Sequence, residues 1–243
     1  MDRVIVVIPA LNPLPAVVDF VRKLQALPLA GIIVINDGSD KRYNSTFEQL
    51  KQENCIVLTH EKNLGKGRSL KTGMEYILKS AERPKGIITV GAHGQHSVLD
   101  VEQVLSSTKI FSDGIILGIR DFKASEYPFL SKLQNRANSI LFELFIHKRL
   151  LDIQTGLRYI PREHLSWLSK VKGESFNYDT NMLIEAIKRN VPLYEVPIGY
   201  AKLRKNSITY YDEVLDPTKI FQQLWLNFLR KGKMPKELSS KRK

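Results

Sequence analysis

The stretch Gly31-Ile32-Ile33-Val34-Ile35-Asn36-Asp37-Gly38-Ser39-Asp40 decides the fold that we predict for this chain. An apolar, mostly β-branched run followed at once by a polar turn is typical of a strand buried on both faces. Similar runs occur at residues 3–8, 56–58, 86–90 and 114–118. Segments with helical spacing of apolar residues separate them, near 15–27, 44–53, 65–79 and 98–107. This alternation predicts an α/β fold, a Rossmann-like doubly wound and mostly parallel sheet with flanking helices.

The pattern changes after about residue 130. A long apolar helix is predicted there, then a polar segment, another helix and a last strand, at 130–149, 152–158, 178–189 and 193–198. No internal repeat and no linker interrupts the chain. We therefore expect a single domain at 1–229, with a nucleotide half at 1–120 and an acceptor half at 121–229, followed by a basic tail at 230–243.

Composition and charge limit the class of protein. A chain of 243 residues that is 43% hydrophobic can bury a full core. Lys and Arg number 37 against 25 Asp and Glu, and the tail carries seven of these cations against one acid, half of the net charge of +12. A basic tail indicates binding to an anionic surface, either membrane or nucleic acid, or simply a solvated segment. The chain lacks the stacking aromatics of single-strand binders and any duplex-reading motif, so we expect no nucleic acid.

The expected location is cytoplasmic, at the inner face of the membrane. The single Cys55 fits a reducing compartment, no signal peptide is evident, and no apolar run reaches the roughly 20 residues of a membrane span. Residues 218–230 place Phe221, Leu224 and Trp225 on one helical face before the basic tail, as in an interfacial helix. The apolar side of residues 137–148 is equally compatible with core packing or a dimer interface.

Ligands of doubly wound sheets bind at the carboxyl ends of the strands, here the loops 9–13, 36–40, 91–96 and 118–123. Asn12 offers both a donor and an acceptor to a nucleotide. Asp37 offers an acceptor to a base or ribose, although Asp-Gly-Ser is also common in turns. The Gly-Lys-Gly sequence at 65–67 precedes a helix, where glycine permits close approach and the helix N-terminus favours phosphate.

Six motifs occur in order along the chain. They are Val-Ile-Pro-Ala-Leu-Asn at 7–12, Asn-Asp-Gly-Ser at 36–39, Asn-Leu-Gly-Lys-Gly at 63–67, Ala-His-Gly-Gln-His at 92–96, Gln-Thr-Gly-Leu-Arg at 154–158 and Phe-Asn-Tyr-Asp-Thr-Asn-Met-Leu at 176–183. Together they resemble the motifs of inverting family 2 glycosyltransferases of the GT-A fold. The resemblance is strongest to the group of dolichyl-phosphate mannose synthase and undecaprenyl-phosphate glucosyltransferase.

The resemblance implies three sets of site residues. The donor-binding residues would be Pro9, Ala10, Asn12, Asp37, Gly38, Ser39, Gly65, Lys66 and His93. The acceptor-binding residues would be Arg120, Gln154, Thr155 and Arg158. Asp152 and Arg120 would be catalytic, Arg120 by paired donors to phosphate and Asp152 by orienting groups. For Asp152, a helix-capping or loop carboxylate is the alternative.

One motif departs from the family. Enzymes of this type usually neutralise the departing diphosphate with Mg²⁺ or Mn²⁺ held by an Asp-x-Asp pair, and this chain has Gly91 and His93 at those positions. In a first alternative, His93 and the retained Gln95 hold Mn²⁺ or another ion together with donor phosphates. In a second, His93 contacts the diphosphate itself. In a third, the chain binds ligand or a partner without transferring sugar.

The favoured hypothesis is an inverting glycosyltransferase that moves a hexose from a nucleoside diphosphate sugar to a polyprenyl phosphate in cell-envelope glycan synthesis. Its partners would then include a membrane surface or a membrane protein, and the sequence leaves a homo-oligomer open. The rival hypothesis is a non-catalytic homologue that binds sugar nucleotide or a membrane partner. Asn36 stands where the family has Asp, which leaves the base preference undecided.

Overall fold

The computed structural model describes residues 3–81, 83–120 and 129–199, together with residues 221, 222, 224 and 225. Most of the predicted interfacial helix, the end of the 118–123 loop and the whole basic tail lie outside these residues.

Seven strands and seven helices are described. The strands are β1 (Val4–Ala10), β2 (Gly31–Asn36), β3 (Ile56–Thr59), β4 (Gly86–Thr89), β5 (Ile115–Arg120), β6 (Arg158–Pro161) and β7 (Leu193–Ile198). The helices are α1 (Ala16–Leu24), α2 (Asn44–Gln52), α3 (Lys66–Lys79), α4 (Val98–Ser107), α5 (Phe129–Ile146), α6 (Arg162–Leu168) and α7 (Asn177–Lys188). A short 3₁₀ turn at Lys41–Tyr43 precedes α2.

The strands form one sheet in the order β3-β2-β1-β4-β6-β5-β7. All neighbours pair in parallel except β6, which is antiparallel to both β4 and β5. The predicted fold class, a mostly parallel α/β sheet with flanking helices, is confirmed. The division of the chain into two halves stays a prediction, and β6 from the second half lies between two strands of the first.

Strand β6 and helix α6 were not expected from the sequence. The strand is only four residues long, and its sequence Arg-Tyr-Ile-Pro shows neither an apolar run nor alternation. All four residues are nevertheless buried, because β6 is covered on both faces and lies between two strands. The charged Arg158 is only 1% exposed, which no pattern based on hydropathy anticipates.

Side chains of β1 alternate between two hydrophobic cores. Ile5 and Val7 join the core beneath α3, α6 and α7, whereas Val4 and Val6 join the core beneath α1, α2 and α4. Successive residues of a strand point to opposite faces, so an uninterrupted apolar run supplies both cores. The sheet is thereby fixed from both sides, which holds its carboxyl edge in place.

Helix α5 ends at Ile146 rather than at the predicted residue 149. His147 has a φ of +57°, a left-handed conformation that ends an α-helix. Two residues of α5, Ile140 and Leu144, are 55% and 65% exposed, so this side of the helix faces outward.

The aromatic residues near 221–225 pack beside α5. Phe145 makes edge-on ring contacts with Phe221 and Trp225, at centroid distances of 5.7 and 6.1 Å. Leu224 is wholly buried in the core, so it does not share the exposed face that the sequence predicted for it with Phe221 and Trp225. Among the helices that the structure describes, none is both long and apolar enough to cross a membrane.

Candidate functional site

An open pocket lies at the carboxyl edge of the sheet, with about 670 Å³ of space that includes its opening to solvent. Its wall combines the ends of β1 and β5 with the segments after β2 and β4, the start of α3, and the segments before β6 and α7. The lining residues are Pro9, Ala10, Leu11, Asp37, Lys66, Ser69, Gly91, Ala92, His93, Gln95, Arg120, Gln154, Gly156 and Phe176. The fold therefore brings together loops that are far apart in sequence, as parallel sheets do at this edge.

Eight of the residues predicted from the sequence line this pocket. They are Pro9, Ala10, Asp37, Lys66, His93, Gln95, Arg120 and Gln154. The other predicted residues are not part of the wall, and these are Asn12, Gly38, Ser39, Gly65, Asp152, Thr155 and Arg158. Their contacts, given below, show that most of them hold the loops and side chains that do form the wall.

Asp37 ties the loop before α3 to the end of β2. Its Oδ1 accepts from the backbone N–H of Leu64 at 3.0 Å, and its Oδ2 accepts from that of Gly65 at 2.9 Å. The Nδ1 of His60 lies 2.7 Å from the same Oδ1. The carboxylate is 1% exposed and already has three hydrogen-bonding partners. Its main structural role is therefore to hold the Gly-Lys-Gly segment against the sheet.

Asn12 and Ser39 join the loops after β1 and β2. The N–H of Asn12 donates to the Ser39 hydroxyl at 2.8 Å, and the N–H of Asp40 donates to Oδ1 of Asn12 at 2.9 Å. The Asn36 side chain accepts from the N–H of Ser39 at 2.9 Å. Gly38, at φ +70°, lies against the backbone of Lys62, where a side chain would collide. These residues shape the loops that border the pocket.

The glycines of the Gly-Lys-Gly segment face protein. A Cβ on Gly65 would collide with the carbonyl of Glu174, and one on Gly67 would lie 2.5 Å from Cβ of Tyr178. The N–H of Arg68 donates to the same Glu174 carbonyl at 2.9 Å. Because small residues allow this close approach, the start of α3 packs directly against the start of α7.

Lys66 lies at the start of α3, between the pocket and α7. Its Nζ is 2.6 Å from Oδ2 of Asp179, and the guanidinium of Arg158 lies 3.4 Å from Oδ1 of the same carboxylate. Arg158 is buried and also donates to the carbonyls of Thr155 and Ile153. The carboxylate of Asp179 is therefore paired with two cations. Of these two, only Lys66 lines the pocket.

Arg120 and Asp152 form a buried pair at the end of β5. Nε and Nη2 of Arg120 donate to the two carboxylate oxygens at 2.6 and 2.8 Å. Burial alone would raise the pKa of Asp152, but the adjacent guanidinium outweighs it and holds the pKa below its ordinary value. An acid with a lowered pKa is a weak base, so Asp152 is suited to orienting Arg120.

Gln154 and Thr155 follow this pair. The N–H of Gln154 donates to Oδ1 of Asp152 at 3.3 Å, and Nδ2 of Asn138 donates to Oε1 of Gln154 at 3.1 Å. The hydroxyl of Thr155 donates to the carbonyl of Gly118 at 2.5 Å and is buried behind the wall. The turn before β6 is thus fixed to β5 and α5.

The Gly91–Gln95 segment has no acid pair. A Cβ on Gly91 would lie 2.7 Å from Oε1 of Gln95, so the amide of Gln95 fills the space into which a side chain at position 91 would extend. Burial lowers the pKa of His93, which favours its neutral form. The segment therefore presents neutral groups to the pocket.

The residues near this segment fit a divalent cation poorly. Mg²⁺ and Mn²⁺ prefer oxygen ligands, and His93 and Gln95 supply one imidazole and one amide oxygen. Asp37 lines the pocket and Asp152 is paired with the wall residue Arg120. Both carboxylates are engaged, that of Asp37 by the loop before α3 and that of Asp152 by Arg120. Within the described parts of the chain, no group of three His, Cys, Asp or Glu side chains is arranged to hold a metal ion.

Ser69, Phe176 and His96 were not expected as site residues from the sequence. Ser69 lies one turn of α3 after Lys66 and two residues beyond the motif, and Phe176 opens the last of the six motifs. His96 is 4% exposed beside Gly156, and neither of its ring nitrogens has a hydrogen-bond partner among the residues that the structure describes. Its place in the Gly-Gln-His sequence at 94–96 was the available signal.

Comparisons with known proteins show which family this chain belongs to. Residues 5–183 match the family model described as Glycosyl transferase family 2. Uncharacterized protein MJ1222 of Methanocaldococcus jannaschii is 30% identical over 81% of this chain and 81% of its own length. The UDP-N-acetylglucosamine–dolichyl-phosphate N-acetylglucosaminyltransferase of Methanococcus voltae is 27% identical, over 96% of this chain and 98% of its own.

A solved structure shows the same fold. Glucosyl-3-phosphoglycerate synthase from Mycobacterium tuberculosis, in complex with Mn²⁺, UDP and phosphoglyceric acid, superposes with a TM-score of 0.71 at 16% identity. The match covers 97% of this chain and 80% of that one. The family match spans most of the sequence, and the sheet that positions the pocket is shared with a glycosyltransferase. The chain therefore belongs to glycosyl transferase family 2.

Proposed function

We propose that this protein is an inverting glycosyltransferase that transfers a hexose from a nucleoside diphosphate sugar to a polyprenyl phosphate. One observation carries the proposal: a single pocket joins the donor motifs, through Asp37 and Lys66, to Arg120 and Gln154. The relative from Methanococcus voltae, which matches over almost its whole length, is named for a dolichyl-phosphate acceptor. That name supports an acceptor of the same chemical class here.

The reaction is a single displacement. A phosphate oxygen of the acceptor attacks the anomeric carbon while the bond from that carbon to the β-phosphate oxygen breaks, so the sugar is inverted and the nucleoside diphosphate departs. A phosphate monoester has its second pKa near 6, so the acceptor is largely ionised at neutral pH and needs no strong base. This agrees with the lowered pKa of Asp152, which suits that residue to positioning.

Arg120 is the residue that faces the phosphates in this scheme. A guanidinium presents paired donors that match phosphate oxygens, and Asp152 holds it in one orientation at the pocket wall. Lys66 stands at the start of α3 and serves the donor diphosphate. The wall residues Ala10, His93 and Gln154 then border the space for the sugar and the acceptor phosphate.

The protein would work at the cytoplasmic face of a membrane, because its acceptor is a lipid. The outward side of α5 supports this location, since Ile140 and Leu144 are both more than half exposed. Phe221 and Trp225 are also exposed and stack on one another at 6.0 Å, next to Phe145 of α5. A basic segment follows these residues in the sequence at 230–243, and apolar groups combined with cations suit an anionic bilayer surface.

Sugar transfer to purified polyprenyl phosphate tests the proposal. A panel of labelled UDP- and GDP-hexoses and UDP-N-acetylhexosamine is offered with Mg²⁺, with Mn²⁺ and with EDTA, and the lipid product is extracted and its anomeric configuration determined. We expect an inverted glycolipid from at least one donor. Asp152→Asn should abolish most turnover, whereas Asp113→Asn, at an exposed site, should not.

The same experiment separates the rival function. A folded protein that binds nucleoside diphosphate but transfers no sugar from any donor would be the non-catalytic homologue. The replacement of the acid pair by Gly91 and His93 is the observation that favours this rival.

A further inference from the structure

The segment between β4 and α4 lacks the negative charge that a divalent ion would offset. Gly91 has no side chain, His93 is a partly buried imidazole, and Gln95 is a neutral amide. Loss of both acids removes two negative charges from the place where the family implies an ion of charge +2. A diphosphate that enters this pocket therefore meets no carboxylate on this segment. No metal ion is needed to screen repulsion between the diphosphate and such a carboxylate.

The geometry of Gln95 shows how the segment is built without the acids. Its Oε1 would lie 2.7 Å from a Cβ at position 91, and its Cδ would lie 3.6 Å away. The amide is thus folded back over Gly91 and occupies the volume of the missing side chain. An amide also carries two N–H donors, which a carboxylate lacks, so Gln95 can donate to a phosphate oxygen.

Positive charge for the diphosphate is available from Lys66. Asp179 is shared by two cations, with Lys66 at 2.6 Å and Arg158 at 3.4 Å. If Lys66 turns toward a ligand, the buried Arg158 still neutralises Asp179, so no buried acid is left without a cation. Arg120 differs, because among the described residues it is the one cation paired with the fully buried Asp152, and it cannot leave that acid at low cost.

These observations lead to one inference, which rests on the proposed donor. We propose that the pocket binds the donor diphosphate without a divalent cation, with Lys66 supplying the positive charge while Gln95 and His93 donate hydrogen bonds to the phosphate oxygens. Side chains of this protein would then contact the diphosphate directly, in place of a metal ion held by an acid pair. The same site would still expel a nucleoside diphosphate, now stabilised by an ammonium group and N–H donors.

Nucleotide binding measured by calorimetry tests the inference. The full-length protein is stripped with EDTA and titrated with UDP and with GDP, in EDTA, in Mg²⁺ and in Mn²⁺. We expect the Kd for the preferred nucleotide to agree within about twofold in all three buffers. Binding that needs a metal ion, or that strengthens more than about tenfold with one, would overturn the inference and leave the proposed function standing. Absence of binding in every buffer would instead overturn the proposed donor.

A matched pair of lysine variants tests the source of charge. Lys66→Met should weaken nucleotide binding in EDTA at least about tenfold. Lys62→Met removes an exposed lysine from the same loop and should leave the Kd unchanged. Thermal unfolding checks that both variants are folded. Equal Kd values for Lys66→Met and the wild type would contradict the role of Lys66.

Restoring the acids provides the reverse test. The double variant Gly91→Asp with His93→Asp should bind Mn²⁺ in the presence of UDP, detected by the loss of the free Mn²⁺ signal in electron paramagnetic resonance. The wild type should leave that signal unchanged under the same conditions. Equal uptake of Mn²⁺ by the wild type would overturn the inference even if the double variant fails to fold.

Discussion

The guanidinium of Arg120 holds both carboxylate oxygens of Asp152, with Nε 2.6 Å from Oδ2 and Nη2 2.8 Å from Oδ1. The side chains are 8% and 0% exposed, so the pair is withdrawn from water. Each side chain therefore gives the other a buried counterion. The pair therefore links the stability of the fold to the shape of the pocket wall, on which Arg120 lies.

Replacing one member of this pair should lower the free energy of unfolding more than the pair as a whole contributes when both members are replaced. Asp152→Asn should lower the free energy of unfolding by about 3–5 kcal/mol, because it leaves the guanidinium buried beside a neutral amide. The single variants Arg120→Met and Asp152→Leu should each lower the free energy of unfolding. The double variant should lower it by at least about 1 kcal/mol less than the sum of these two losses. Urea unfolding of the wild type and all variants measures both values. Additive losses would show that the two side chains do not depend on one another.

Replacing Asp179, whose carboxylate is shared by two cations, should lower the free energy of unfolding more than replacing Lys66. Asp179→Asn leaves the buried Arg158 without its acid and should cost about 3–5 kcal/mol of unfolding free energy. Lys66→Met leaves Asp179 paired with Arg158 and should cost about 1 kcal/mol. Chemical denaturation compares the two variants directly. A larger loss in Lys66→Met would contradict the view that Arg158 alone can neutralise Asp179.

Gly67 should not tolerate a side chain. A Cβ there would lie 2.5 Å from Cβ of Tyr178 and 2.9 Å from the carbonyl carbon of Glu174, so α3 and α7 would have to separate. Gly67→Ala should lower the free energy of unfolding by about 1–3 kcal/mol. Gly31→Ala is the control, since a Cβ at Gly31 meets nothing within 4 Å, and it should be close to neutral. The melting temperatures of the two variants give the comparison.

Stability should fall in mildly acidic solution because of His96. Burial, and then the charge of Arg120, lower the pKa of His96 from 6.5 to about 4, so the folded state holds this ring neutral. Between these two values the unfolded chain binds a proton that the folded chain does not, and stability is therefore lost as the pH falls from 6.5 toward 4. The loss attributable to His96 should approach about 3 kcal/mol at the lower value.

The variant His96→Gln isolates this contribution, because glutamine has no group that titrates in this range. Urea unfolding from pH 7 to pH 4 should show a shallower decline for the variant than for the wild type. Parallel declines in the two proteins would mean that His96 is not the group responsible.

The outward side of α5 should contribute to membrane binding. The double variant Ile140→Ser with Leu144→Ser should reduce flotation with anionic vesicles by about tenfold or more, because each large apolar side chain gains about 1.5–3 kcal/mol on burial. Ile110→Ser is a matched control, since Ile110 is 77% exposed and lies beyond α4. Equal flotation of all three proteins would exclude α5 as the docking surface.

The local patterns of the sequence were sufficient for the fold class. Five apolar runs ending in polar turns correspond to β1 through β5, because a strand buried on both faces must be apolar throughout. The edge strand β3 is the exception, since it is only partly buried and Ile56 is 39% exposed. The short strand β6 could not be predicted in this way. Its burial results from its neighbours β4 and β5, and the charge of Arg158 is satisfied by carbonyls and by Asp179 from other segments.

The motifs also located the loops of the pocket, since loops that follow parallel strands must meet at one edge of the sheet. They did not reveal which side chains face the cavity. Asn12, Gly65 and Arg158 belong to the motifs, yet their contacts are with protein, whereas Phe176 lines the wall. Orientation depends in large part on partners from distant segments, such as Ser39 for Asn12 and Asp179 for Arg158, which spacing along the chain does not encode.

The sequence by itself determined the alternating α/β order, the edge of the sheet where the site lies, and the absence of the acid pair at positions 91 and 93. Only the tertiary structure decided how the side chains around that place are arranged. Gln95 folds over Gly91, and Asp179 is shared between Lys66 and Arg158, residues separated by 92 positions in the chain. Such contacts form when distant segments pack together. A buried charge needs an opposite charge beside it, and the fold can supply that partner from any part of the chain.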